Sequence, residues 1–483
     1  MSHVTIVHYA GATTRSFSVV ASIAADLREL GGTVSILDLE RTTTIRQGFP
    51  PSMLPRLFGH HVKEDAFINA LRILGANYEL LEPLDTSIPL SPEHAQQMTI
   101  AVESELLTYF RLDYIPKTRE ARALRRTLES NAAKTYARLY DLWSGSTPDE
   151  VLIPNGRTSR QKAARLVAEA LNIPVRLYEN GRARKNSYYL GTTQPHDRIA
   201  SQAEVKSLTS PLNKKTVQNL AKEWLESRMV GVGGTNSFSD SWKAIDDYLV
   251  GSDHETAVFF ASSFDEFLAF GPMWNIDEWS SQFEAFDLIM TLLEKRGVRL
   301  VLRLHPNLAS KSRKYFLREI DEILHLQRRH PSLTIHWHNS SVNSYQLVME
   351  AQYVIVERST IGLEASLMGK PVWATQATQW DQVADIRQLL RPSDVTEEAL
   401  QPWKVSIEGA ERFVAYWMIQ EHPLRYEATD WASWDPENAP NSMKALQLAL
   451  PNSWKHKVRL LRLEWSKWRN RRFTAPVSPR QEQ

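Results

Sequence analysis

The sequence predicts an α/β protein of two doubly wound, Rossmann-like domains facing a cleft, with a helical insertion in the first and an amphipathic helix at the C-terminus. Three observations predict it. Short, continuous apolar runs alternate with stretches of helical spacing, the pattern of parallel strands buried on both faces. That rhythm begins at VTIVHYAG, returns at VLIP after a long helical stretch, and restarts at TAVFFASS. At 483 residues the chain is too long for one ordinary core.

Taken in order, VTIVHYAG reads as a strand and turn, Thr13 to Leu30 as a helix, and TVSILDLE as a second strand. A helical insertion follows over about 45–145, broken by the Pro-rich stretches PPSMLP and LDTSIPLSPEH. VLIP, a helix from Ser159 to Leu171, IPVRLYENG and a helix from Asn213 to Met229 complete a first domain at 1–232. GVGGTNSFSDS opens a linker at 233–252. The second domain, 253–450, carries strands at TAVFFASS, VRLVLRLHP, LTIHWH, YVIV and PVWAT, with helices at Glu278–Arg296 and Lys311–Arg329. A basic tail occupies 451–483.

Composition narrows the function classes. A hydrophobic share of 42% and a charged share of 23% are those of a globular protein. A net charge of +1 gives no general attraction to nucleic acid, and no stacking-platform motif is present. Without cysteine, disulfides, thiolate metal sites and cysteine nucleophiles are excluded. The N-terminus lacks signal-peptide character and no apolar run approaches the ~20 residues of a membrane span, so a cytoplasmic location is expected.

The candidate chemistry sits at strand ends. GVRLVLRLHP delivers Arg303, His305 and Pro306; YVIV is followed by Glu357, Arg358, Ser359 and Thr360, opening the helix IGLEASL. A Ser-Thr pair at a helix start offers hydroxyls and unpaired N–H groups to an anion, and Arg303 with His305 could clamp the same phosphate. The alternative is that Ser359 simply caps the helix. His330-Pro331 and His422-Pro423 repeat the dipeptide, but not at strand ends. Ser262 and Ser263 follow TAVFF and either approach a phosphate or ribose or cap a helix; Glu364 either reaches a ribose hydroxyl or is a solvated acid.

In the first domain, His8 and Gly11 leave the first strand, with Gly11 allowing close approach of a ligand. Asn155, Gly156 and Arg157 leave another strand, Asn155 as a ligand or as a helix cap. Glu179 ends a third strand, ahead of Arg182, Arg184 and Lys185; it is either a general base or the partner of one of them. No Asp-x-Asp stands at a strand end, Asp38-Leu39-Glu40 being the nearest approach, so no metal ion and no cofactor are expected.

Together NGR, ENG, SS-x-DE, RLHPN and ST-x-GLEA-x-x-x-GKPV resemble the GT-B glycosyltransferases of bacterial capsule and surface-polysaccharide synthesis, a group with CMP-sugar-using and polyol-phosphate transferases. The resemblance covers roughly 150–375. It implies that Arg303, His305, Ser359 and Thr360 hold the donor phosphate, that Glu364 lies near the nucleoside, and that a saccharide or lipid-linked saccharide acceptor enters from the first domain. It does not specify the sugar. On charge grounds the clamp would stabilise the departing phosphate without a metal, and if the transfer inverts, Glu179, with His8 second, would take the acceptor's proton. A polyol-phosphate transferase using a CDP-polyol and a non-catalytic nucleotide-binding scaffold are the rivals. Oligomeric state is not legible.

The tail combines Lys455, Lys457, Arg459, Arg462, Lys467, Arg469, Arg471 and Arg472 with an apolar stripe of Trp454, Val458, Leu461, Trp465 and Trp468. A basic amphipathic helix with tryptophans suits an anionic membrane surface, which would make the protein peripheral at the inner face of the membrane. The alternative is a stripe packed on protein.

Overall fold

The computed structural model describes residues 2–8, 14–39, 71–72, 74–81, 88–110, 112, 114–230, 255–262, 267–311, 313–430, 442–444, 465 and 469–470. The expected linker, 233–252, lies outside them, as do Gly11, Ser263, Trp454, Arg459, Arg462 and Trp468. The chain forms two compact units: Met1–Ala200 with Ala269–Gly271 and Trp417–Lys457, and Ser201–Leu268 with Pro272–Tyr416 and Val458–Gln483.

The first unit is built on strands β1 (His3–His8), β2 (Thr33–Asp38), β3 (Asn77–Leu80), β4 (Glu150–Pro154), β5 (Val175–Asn180) and β6 (Ser187–Gly191). Its helices are α1 (Thr14–Glu29), α2 (Pro92–Phe110), α3 (Arg119–Gly145) and α4 (Ser159–Ala170). The spatial order is β3-β2-β1-β4-β5-β6, with a late strand, Glu421–Pro423, added beyond β6. β3 to β5 run parallel; β6 and the late strand are antiparallel. Alternation does the packing, because successive side chains leave a strand on opposite faces. Ile6 and Ile36 bury against α1 residues such as Val19 and Ile23. Val7, Leu37 and Ile153 bury on the other face with Tyr136, Leu139 and Leu166 of α3 and α4.

Two features depart from the sequence reading. The insertion is not wholly helical: Asn77–Leu80 is a strand paired with β2. The late strand brings residues 421–423, expected in the second domain, back to the first sheet, where Glu421 pairs with Tyr189 and His422 with Tyr188. His422-Pro423 therefore lies within an edge strand, where a proline without an N–H is tolerated.

The second unit carries β7 (Thr256–Phe260), β8 (Arg299–Arg303), β9 (Thr334–His336), β10 (Tyr353–Val356), β11 (Val372–Ala374) and β12 (Arg387–Gln388) in the order β9-β8-β7-β10-β11-β12, all parallel. Helices α5 (Arg198–Thr209) and α6 (Lys214–Met229) precede the sheet; α7 (Gln282–Lys295), α8 (Arg313–Arg329), α9 (Ser344–Glu350), α10 (Ile361–Leu367) and α11 (Glu408–Ile419) follow. Helix α7 starts where Ser281 caps the Glu284 N–H. Helix α8 buries Tyr315, Phe316, Ile320, Ile323 and Leu326 at helical spacing. The chain from Ser201 to Val230, placed within the first domain from sequence, groups here: Glu204 accepts from Tyr416, Gln202 donates to Asp381, and Arg228 pairs with Glu364.

Candidate functional site

In the second unit the chain moves from β7 outward to β9, then returns to β7's other side and moves outward again from β10 to β12. Its direction reverses between β7 and β10, the point where open α/β sheets bind ligands at their carboxyl ends. The strand ends are level there, since Phe260 is in register with both Arg303 and Val356. Ser262 and Arg358 meet across this switch point: the Arg358 N–H donates to Ser262 Oγ at 3.3 Å. Beside them lie Ser359, half-buried, and Thr360, exposed, whose hydroxyl makes no capping hydrogen bond. The expected alternative of a capping serine is thus not what this turn shows. Because α10 has about two turns, hydroxyls and first N–H groups, more than a long dipole, would meet an anion. Gly362 lets α10 lie close: a Cβ there would stand 2.7 Å from the Trp380 ring.

His305 leaves β8 on the other side of β7, so it and Ser359 are two strand spacings, roughly 10 Å, apart. Side chains reaching inward across that span suit one phosphate or two parts of one nucleotide. His305 Nδ1 accepts the Asn307 N–H at 3.0 Å, so the neutral ring carries its proton on Nε2 as a donor. Burial, then Lys311 and Arg303, lowers its pKa to about 4, keeping it neutral.

Arg303 does not join it as a clamp. The guanidinium is buried and donates to the Trp337 carbonyl at 2.6 Å and the Ser340 carbonyl at 3.1 Å, tying the loop after β9. Desolvation pushes it down to about 10. A residue leaving a strand alternates sides, and Arg303, still inside β8, points into the unit rather than out of its end. Glu364 is likewise committed: it is 1% exposed, and Arg228 of α6 grips its Oε1 through Nε at 3.0 Å and Nη2 at 2.9 Å. It is neither a solvated acid nor open to a ribose.

Beneath the switch point lies a buried acid pair. Glu357, 0% exposed, is raised to about 7 by burial, against the influence of Arg358 and Ser262. Glu319 of α8 is raised to about 8 by burial and by the neighbouring charges of Glu322 and Glu357. Gln282 joins the two elements, accepting the Ser262 N–H at 3.0 Å and donating toward Glu319 at 3.5 Å. Nothing in the spacing of Gln282, Glu319 and Glu357 along the chain announced this cluster.

The first unit has the same winding, with its reversal between β1 and β4. Asn155 and Gly156 leave β4 with φ of 55° and 74°, a left-handed pair that asparagine and glycine adopt most readily. A Cβ on Gly156 would come within 3.1 Å of Leu177. Asn155 does not cap α4; Thr158 stands at that position, its N–H donating to Gln161 at 3.2 Å. Instead Asn155 Nδ2 donates to Glu179 Oε2 at 2.6 Å, and the Asn180 N–H reaches Glu179 Oε1 at 3.0 Å. Glu179 is thus half-buried and held in one orientation. Of the basic residues that follow it, Arg182 turns to His196 at 2.8 Å and Arg184 to the Met418 carbonyl at 3.0 Å.

Arg157 faces inward, contrary to the expected acceptor side. Its Nη1 donates to Ser104 Oγ, to Thr108 Oγ1 at 3.1 Å and to the Ala269 carbonyl at 3.0 Å, while the guanidinium lies over the Phe270 ring. His196 stacks on that ring's plane at 3.9 Å. Helix α2 adds Glu105, whose carboxylate accepts from Ser159 N at 2.9 Å and Ser159 Oγ at 2.6 Å. His8 is 1% exposed and burial lowers it to about 3, so it presents no accessible basic nitrogen. Among the described residues no group of three or more His, Asp or Glu side chains could hold a metal ion.

No protein-family model matches the sequence, and no curated protein is significantly similar to it. Solved structures are similar in chain trace. The β-Kdo 2,4 transferase of KpsC from Thermosulfurimonas dismutans is 15% identical, with a TM-score of 0.37 over 56% of this chain and 79% of that one. The β-Kdo 2,7 transferase of the same protein gives 14%, 0.31, 67% and 87%. The UDP-GlcNAc 2-epimerase of Neisseria meningitidis bound to UDP-GlcNAc gives 13%, 0.31, 82% and 90%. At these values the likeness carries no argument about activity, which must come from the residues.

Proposed function

We propose that this protein is a glycosyltransferase of GT-B type that moves a sugar from a nucleotide-sugar, with a CMP-sugar as first candidate, to a bacterial surface polysaccharide. The observation that carries the reading is the switch point of the second unit. There Ser262 and Arg358 join β7 to β10, the Ser359 and Thr360 hydroxyls stand beside them, and His305 holds an N–H donor one strand further on. The Ser359 and Thr360 hydroxyls and the His305 N–H are donors suited to the anionic and polar groups of a nucleotide, the requirement for binding a donor and stabilising its departing phosphate. Glu179, oriented by Asn155, is the proposed base for the acceptor hydroxyl. The basic tail is proposed to hold the protein against an anionic membrane, near a lipid-linked acceptor.

The test is a thermal-shift screen of the full chain against CMP, UDP, GDP, CDP and dTDP, followed by donor turnover with the nucleotide that stabilises it. Release of free nucleotide with transfer or hydrolysis of the sugar supports the reading. Release of CMP with a phosphorylated polyol would identify the polyol-phosphate reaction instead. Tight nucleotide binding without turnover of any donor would leave a scaffold.

A further inference from the structure

Residue Asn470 is 0% exposed although it belongs to the strongly basic tail. Arg313 Nη1 donates to its Oδ1 at 3.0 Å, its Nδ2 donates to the Lys311 carbonyl at 3.1 Å and the Ala309 carbonyl at 3.4 Å, and His338 Nε2 meets its own carbonyl at 3.1 Å. A buried side chain satisfied on both its amide groups fixes position, because each alternative would orphan a polar atom. Asn470 is therefore seated at the N-terminal end of α8. Around that seat, Trp465 is 56% exposed with the Arg469 guanidinium 4.6 Å over its ring, and Arg469 is near enough to Arg313 to oppose its charge. On α8 itself Lys314 and Arg318 are exposed, Leu317 is 45% exposed and Glu319 is buried, with exposed Asp321 and half-buried Glu322 one turn further along the helix, away from Asn470.

We infer that α8's first two turns, with Trp465 and Arg469 beside Asn470, form one docking face for an anionic membrane surface, with Lys314, Arg318 and Arg469 meeting headgroups and Leu317 and Trp465 entering the interface. This inference rests on the membrane reading of the tail and extends it to a folded surface of the second unit. The occupant follows from charge and side-chain type: long cationic stems flanking an exposed indole and a leucine fit a plane that is anionic outside and apolar beneath. It also changes what the tail does. A free basic tail would bind lipids without orienting the protein, whereas Trp465 and Arg469, held beside Asn470, would present the second unit in one attitude.

Sedimentation of the full chain with phosphatidylcholine vesicles, with and without phosphatidylserine, tests it. The double variant K314A/R318A keeps the tail intact and removes two exposed cations; the partition coefficient onto anionic vesicles should fall by about twenty-five-fold, at about five-fold per cation. Nucleotide thermal shift on the same variant confirms that it is folded. Undiminished binding of K314A/R318A, with binding abolished by deleting Pro451–Gln483, would overturn the extended face and leave the tail as sole anchor. Failure of the unaltered protein to prefer anionic vesicles would overturn the membrane reading itself.

Discussion

Arg157 Nη1 lies 2.5 Å from Ser104 Oγ, so the turn leaving β4 is held by helix α2 of the insertion. Thr108 and the Ala269 carbonyl share the same nitrogen. Replacing Arg157 by alanine removes the donor that the Ser104 and Thr108 oxygens share, while the Ala269 carbonyl keeps the Ser104 hydroxyl at 2.6 Å. Arg157→Ala is expected to cost the first unit about 2–4 kcal/mol in urea unfolding, with an unchanged m-value. Arg157→Lys should recover only part of this, because an ammonium cannot reproduce the planar fork. An unaltered midpoint in both variants would show that the insertion does not support the β4 turn.

The donor residues make a second prediction. His305→Ala removes an N–H donor held in place by Asn307, and should weaken binding of the preferred nucleotide about ten-fold, the scale of one hydrogen bond to a charged partner. Thr360→Ala should act in the same direction, since its hydroxyl caps nothing and its loss leaves α10 intact. Calorimetric titration reads both. Affinities equal to the unaltered protein's would remove these side chains from the site.

Much of the architecture was legible because parallel strands buried on both faces must be apolar throughout. VLIP, TAVFF, RLVLR and YVIV each appear as strands at or near their expected bounds. The elements that escaped are those whose burial is partial or whose partners are remote. Asn77–Leu80 is a short edge strand without a continuous apolar run, and Glu421–Pro423 joins the first sheet only through partners more than two hundred residues earlier. At the site, strand ends were readable but the direction of each side chain was not. Arg303 and Arg157 were expected to face a ligand, and both instead hold carbonyls of neighbouring loops. Asn155 was legible as a functional candidate because it precedes a glycine at a strand end, although its partner Glu179, on the neighbouring strand, required the fold.

The acid pair under the second switch point sets a pH dependence. Glu319 and Glu357 are raised to about 8 and about 7, so between 4.5 and those values the folded unit binds more protons than the unfolded chain. Stability is then full below about 4.5 and falls as pH rises through 7 and 8. The neighbouring histidines run the other way. His305 and His336, lowered to about 4, contribute above 6.5 and lose it only as pH drops toward 4. From pH 8 to 7 the carboxylates outweigh the histidines, and acidification over that window should stabilise the second unit by about 1 kcal/mol. Glu319→Gln should flatten the slope and raise stability at pH 8, because the amide keeps a partner for Gln282 and carries no charge for Glu357 to oppose. A slope as steep in the variant as in the unaltered protein would show that the pair does not titrate there.

Asn470 predicts that the tail contributes to folding as well as to attachment. Its side chain supplies donors to the Ala309 and Lys311 carbonyls and an acceptor to Arg313, all in the segment that follows the His305 loop. Asn470→Ala would leave those groups to find water in a site with no exposed surface at Asn470, and should cost the second unit about 1–3 kcal/mol. Deleting Pro451–Gln483 removes the same contacts and should lower thermal stability by at least as much, while Trp465→Ala, at an exposed position, should leave it nearly unchanged. Because the seated segment borders the loop that fixes His305, the destabilised variants should also bind nucleotide less tightly, and saturating nucleotide should restore part of the lost stability by mass action. If Asn470→Ala melts with the unaltered protein, Asn470 is not seated on α8 in solution, and the tail acts only through its charge.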